Sequence, residues 1–158
     1  MEFRNETAVN YGVNGIEPIF EARICLRGNP STGRQIHNRD ELEKYVCDLM
    51  SSYATETMLV ISVDAQCRVL STAIVGIGGI ESVDADVASI AKVALLSNAR
   101  SVFLSHNHPG GTCFPSSEDI KSTHIIKKAL ELFQIHVLDH MIVTPNGDSY
   151  SMAQHWDL

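Results

Sequence analysis

The segment Ser101 to Asp119, SVFLSHNHPGGTCFPSSED, constrains this chain more than any other. It opens on SVFLS, a short apolar run with the length and character of a buried strand. Residues His106 to Phe114, with Pro109, Gly110 and Gly111, read as a loop. Ser116, with an acid three residues on at Asp119, has the spacing of a helix capping box, although Asp is shorter than the usual Glu or Gln. That start predicts a helix from Ser116 to Phe133, packing through Ile126, Leu130 and Phe133. A strand that runs through a tight turn into an amphipathic helix needs further layers to bury both, which points to a layered α/β domain.

The remaining pattern agrees. Asn38 or Asp40 caps a predicted helix to about Ser52, with Leu42, Tyr45, Val46, Leu49 and Met50 on its apolar face. Thr57 to Val63 and Arg68 to Gly76 are strand-like, and Asp64-Ala65-Gln66 between them makes a hairpin. A second helix is expected from Asp84 or Asp86 through Asn98, with Val87, Ile90, Ala91, Ala94 and Leu95 inward. Ile135 to Val143 is a predicted strand, and Pro145-Asn146-Gly147-Asp148 is a turn signal. Ser149 to Met152 is expected to pair back as an edge strand. Hairpins mixed with helices predict a mixed sheet. Residues 1–37 read as a polar lead-in with a candidate strand at 18–26, and 38–158 as the folded domain.

Length and charge narrow the function. The 158 residues suit one domain that needs no disulfides to fold. Asp plus Glu total 19 against 12 for Lys plus Arg, a net charge of −7. Nucleic-acid affinity draws on Lys and Arg displacing counterions from phosphates, so direct DNA binding is not expected. Cys25, Cys47, Cys67 and Cys113 form no CxxC pair. Met1 to Asn14 has no apolar core that would make a secretory signal or anchor. Reduced thiols in the cytoplasm are the expectation. No apolar run reaches the ~20 residues of a membrane-spanning helix.

His106 and His108 are one residue apart at the end of the predicted strand, so alternation along an extended chain lets both imidazoles face one point. Asp119, in the first turn of the next helix, can swing back as a third ligand. Two histidines and a carboxylate, with a fourth position for water, make the open coordination of a catalytic zinc site. Either half alone has a plainer reading, as a surface HxH pair or a helix cap. Their combination across a glycine turn favours the metal. His37, His124, His136 and His155 lack partners at ligand spacing and read as surface residues, and Cys113 as a loop thiol.

His106-x-His108 followed by Ser116-x-x-Asp119 resembles, without a gap, the JAMM motif of the JAB/MPN metalloproteases. The fuller string HNHPGG…PSSED, with Thr123 and then Leu138-Asp139-His140, is similar to the RadC branch of that family. The resemblance covers about residue 38 to residue 152. It implies the MPN (JAB) fold, a mixed curved sheet flanked by helices, and one Zn²⁺ per chain held by His106, His108 and Asp119. It implies Glu56 as general base, with Glu21 the alternative, and Ser116 as hydrogen-bond donor to an oxyanion. Asp139 and His140 are either partners that orient a zinc ligand or ordinary polar residues at a sheet end. The implied activity is hydrolysis of a peptide or isopeptide bond in a protein or peptide substrate by metal-activated water. Two other readings stand beside it: a non-catalytic metal-binding interaction domain, and a DNA-repair or mobile-element accessory protein acting through partners. Where the RadC branch often reads Pro-Arg-Glu, this chain has Val87-Ala88-Ser89.

Overall fold

A computed structural model describes residues 33–50, 52–78 and 87–158. The elements run α1 (Arg39–Met50), β1 (Thr57–Val63), β2 (Val69–Ile77), α2 (Val87–Leu96), β3 (Ser101–Asn107), α3 (Ser117–Glu131), β4 (His136–Val143) and β5 (Ser149–Ser151). The strands form one mixed five-stranded sheet in the order β2-β1-β3-β4-β5. Only the β3–β4 pair is parallel, and α3 makes its crossover.

Local chemistry explains the boundaries. The Asn38 carboxamide accepts from the Glu41 N–H at 3.0 Å, and the Glu41 carboxylate accepts from the His37 N–H at 2.9 Å, so the start of α1 is capped from both directions. In the β1–β2 turn the Asp64 carboxylate accepts from the N–H groups of Gln66 and Arg68 and from the Arg68 guanidinium. Burial pushes the Asp64 carboxyl up, but those bonds together outweigh it and hold the group below its ordinary value.

Both sheet faces are covered, as strict alternation along β1 requires. Leu59, Ile61 and Val63 pack with Phe103, Met141 and Val143 under Leu42, Val46 and Met50 of α1. Met58 and Val60 point the other way and pack with Val102, Leu104 and Val137 under Ile90 and Ala94 of α2 and Ile126 and Leu130 of α3. β4 changes phase once. Val102 pairs with Val137 but Phe103 pairs with Asp139, so Leu138 is an extra residue in the ladder. Because of that bulge His140, opposite Leu104, lies on the α3 face. Without it, alternation from Val137 would turn His140 towards α1.

The mixed α/β expectation agrees with this architecture, and three details are corrected. Leu95 and Phe133 are about half exposed rather than inward, because α2 and α3 bury only the stripes ending at Ala94 and Leu130. β3 continues to Asn107 instead of ending at Ser105, because His106 and Asn107 pair with Ile142 and Val143 of β4. His106 is therefore a strand residue, not a loop residue. The candidate strand at 18–26, Glu21 and the expected start of α2 at Asp84 or Asp86 lie outside the described residues. Among the described residues no helix is long and apolar enough to cross a membrane.

Candidate metal centre

Three elements meet at the carboxyl end of β3. His106 is in register with Met58 of β1 and so shares its face, towards α3. His108, two residues on, points to the same side, and its N–H bonds to the Val143 carbonyl at 2.9 Å. Ser116 is the N-cap of α3, and its hydroxyl accepts from the Asp119 N–H at 3.1 Å. The Asp119 carboxylate in turn accepts from the Ser116 N–H at 2.8 Å and from its hydroxyl at 2.7 Å. The expected capping box is thus present, and it aims the carboxylate back at the histidines. A cap of this kind stabilises by about 1 kcal/mol.

His106 Nε2 lies 2.9 Å from His108 Nε2 and 3.4 Å from Asp119 Oδ1, and His108 Nε2 lies 3.6 Å from Asp119 Oδ2. Ligand atoms held at ~2.0–2.1 Å by a tetrahedral ion stand ~3.3 Å apart, so the spacing fits one cation. Glu56, the residue before β1, brings a carboxylate oxygen into the same group. One such atom from each of Glu56, His106, His108 and Asp119 lies within 4.8 Å of all the others. These four residues can hold a metal ion. Burial pushes the Asp119 carboxyl up, but hydrogen bonding to His106 and His108 outweighs it and keeps the group ionised far below the usual carboxylate range. The same Asp119 contact raises the His108 imidazole, with partial burial opposing it.

Hydrogen-bond directions assign the ring tautomers. His108 Nδ1 is 2.8 Å from the Thr112 carbonyl and must donate to it, which turns Nε2 towards His106 and Asp119. The Thr123 hydroxyl is 2.6 Å from the Asp119 carbonyl and spends its one hydrogen there. It therefore accepts from His140 Nδ1, also 2.6 Å away. Burial, then His106, pushes the His140 imidazole well below its ordinary value, so the ring is neutral. Its Nε2 is the acceptor for His106 Nδ1–H at 2.8 Å, so His106 Nε2 is the ring atom turned towards His108 and Asp119. Two imidazole Nε2 atoms and a carboxylate thus converge on one point, where a bound cation would take the place of the protons they share. This is how protein ligands are oriented for a metal.

Of the two residues left open in the sequence, His140 orients His106. Asp139 faces elsewhere: its carboxylate accepts from the Ser151 hydroxyl at 2.6 Å and the Ala153 N–H at 3.0 Å, and ties down the end of the chain. His37, His124, His136 and His155 are exposed. Cys113 packs beside Tyr150 and Met152 as a free thiol.

The buried relay supports a prediction. Thr123→Val keeps the shape and removes the hydroxyl, leaving the buried His140 donor unpaired. Stability is expected to fall by about 1–3 kcal/mol in denaturant titrations. Zinc affinity, measured against a chromogenic chelator, is expected to fall by about 10–100-fold.

An open mixed sheet with helices on both faces, and a His-x-His strand end facing an aspartate at a helix start, define an α/β domain with a candidate metal site. A family model described as the RadC-like JAB domain matches residues 36–157, and the chain belongs to that family. The chain is 32% identical over 140 residues to a UPF0758 protein of Chlorobaculum parvum, covering 89% of this chain and 63% of the relative. It is 43% identical over 91 residues to a UPF0758 protein of Ectopseudomonas mendocina, covering 58% of this chain and 40% of the relative. A UPF0758 protein of Janthinobacterium sp. is 32% identical over 155 residues, covering 92% of this chain and 69% of the relative. The chain spans less than two thirds of the length of the first two.

Proposed function

We propose that this chain is a zinc-dependent peptidase that hydrolyses a peptide or isopeptide bond of a protein or peptide substrate in the cytoplasm. The observation that carries the reading is the convergence of two imidazole Nε2 atoms and an ionised carboxylate, with a second carboxylate, Glu56, beside them. His106, His108 and Asp119 would hold the ion. When bound, zinc lowers the pKa of its water from ~16 to ~7 and polarises a substrate carbonyl. Glu56 would take the water proton and pass it to the leaving amine. Ser116 would give its hydroxyl hydrogen to the oxyanion, turning it away from Asp119 Oδ2. Membership of the RadC-like JAB family and the donor set support this reading.

The test is direct. Purified protein should carry about one zinc per chain. It should cleave fluorogenic peptides or isopeptide-linked pairs, lose that activity to a chelator and regain it with added zinc. Protein that stays metal-free after reconstitution at neutral pH overturns the zinc assignment. Zinc-loaded protein inert towards both substrate types favours a metal-binding interaction domain instead.

A further inference from the structure

Glu56 is placed beside the histidines, yet among the described residues its carboxylate makes no hydrogen bond that would fix it there. Its position has to come from its backbone. The backbone is irregular, because residues 52–56 join α1 to β1 without helix or strand. Packing gives weak support on one side, where Ser52, Tyr53, Thr55 and Thr57, with Ile74 and Ile77 of β2, line an open hollow of about 270 Å³.

Asn107 supplies the missing constraint. It lies between the two histidines in sequence, and alternation turns its side chain to the opposite face of β3. There it is almost fully buried. Its carboxamide oxygen accepts from the Thr57 N–H at 2.8 Å, and its amide group donates to the carbonyls of Tyr53 at 3.0 Å and Thr55 at 3.2 Å. The three bonds bracket Glu56 on both sides. Just past β2, the Gly78 N–H donates to the Glu56 carbonyl at 2.7 Å, with Gly78 at φ +98, a conformation that glycine adopts without strain.

We propose that Asn107 is a positioning residue that sets the distance between the Glu56 carboxylate and the metal ligands. The strand that carries the histidines thereby also locates the fourth group of the site. The functional consequence rests on the reading of Glu56 as the base, but the placement itself does not. Asn107 reaches no ligand atom in the bonds it makes. Its loss should therefore spare the metal and displace the base.

The experiment uses the full chain loaded with zinc, as Asn107→Ala and Asn107→Asp. The aspartate keeps the bond from the Thr57 N–H and loses both donations. Crystal structures of the two variants should show the Glu56 carboxylate outside the four-residue group, with His106, His108 and Asp119 in place and zinc still at one per chain. Hydrolysis should fall towards the level of Glu56→Gln. Adding Asn107→Ala to Glu56→Gln should cost no more than about twofold, the scatter of independent measurements. Glu56 unmoved in both variants, or losses that multiply in the double variant, would overturn the proposal. Hydrogen exchange on the wild-type chain decides the matter if neither variant folds. The Thr57 amide should be protected like the amides of β3, and rapid exchange there counts against the clamp. If Glu56→Gln cleaves like wild type, the base assignment fails, and the crystallographic result still decides the role of Asn107.

Discussion

His108→Ala abolishes stoichiometric zinc binding and leaves the fold intact; this is the expected result of largest effect. His108 is partly exposed, and its ring is held by polar contacts to the Thr112 carbonyl, His106 and Asp119, so little packing is lost with it. What is lost is one of the three proposed ligands, leaving His106 and Asp119. His106→Ala should also abolish binding, with a different signature. The His106 side chain is fully buried and its Nδ1–H satisfies His140. Its removal leaves a cavity and an unpaired acceptor, so a loss of stability of several kcal/mol should accompany the loss of metal. Elemental analysis after zinc reconstitution, with denaturant unfolding of the metal-free proteins, separates the two variants. Stoichiometric zinc in both would remove the histidine pair from the site.

Glu56→Gln is expected to leave zinc content and stability unchanged and to reduce hydrolysis by about 10²–10⁴, the usual size of a general-base contribution. Glutamine preserves the shape of the side chain and removes the proton acceptor. The Glu56 carboxylate has no hydrogen-bonded partner among the described residues, so the substitution strands nothing. The carboxylate lies within 4.8 Å of the candidate ligand atoms, close enough to act through one water. Activity in the variant within a few fold of wild type would refute the assignment. Loss of zinc in step with activity would make Glu56 a ligand instead.

The sequence made some of this legible because certain physical signals are local. The phase of His106 and His108, the box from Ser116 to Asp119 and the turn at Asp64 each follow from a few neighbouring residues. Other features depend on partners far along the chain. β3 reaches Asn107 only because β4 runs parallel beside it, and no signal within SHNHPGG shows that. The orientation of His140 depends on the bulge at Leu138, a mismatch between two strands that neither strand displays alone. Asn107 gives no local signal for the same reason. A polar residue before a Pro-Gly turn reads as loop, and its partners are backbone groups 50 to 54 residues earlier. Its one trace is parity: a residue between two ligands of an extended strand faces away from the metal. Leu95 and Phe133 were misplaced because helical periodicity continues past the point where the sheet stops covering it.

The parallel pairing of β3 and β4 also divides the site into two parts. His106, His108, Asp119, Thr123 and His140 all belong to one strand–helix–strand unit, β3, the loop after it, α3 and β4. Glu56 belongs to the β1–β2 hairpin and is joined to that unit by the β1–β3 ladder and the Asn107 amide. Proteins open in such units, each with its own free energy. A cation held only by the crossover would raise the opening free energy of that part by an amount set by its concentration and affinity. It would leave fraying at the start of β1 almost unchanged. Metal occupancy and catalytic competence would then have separate lifetimes, so a fully loaded molecule would pass through intervals in which the base is absent from the site.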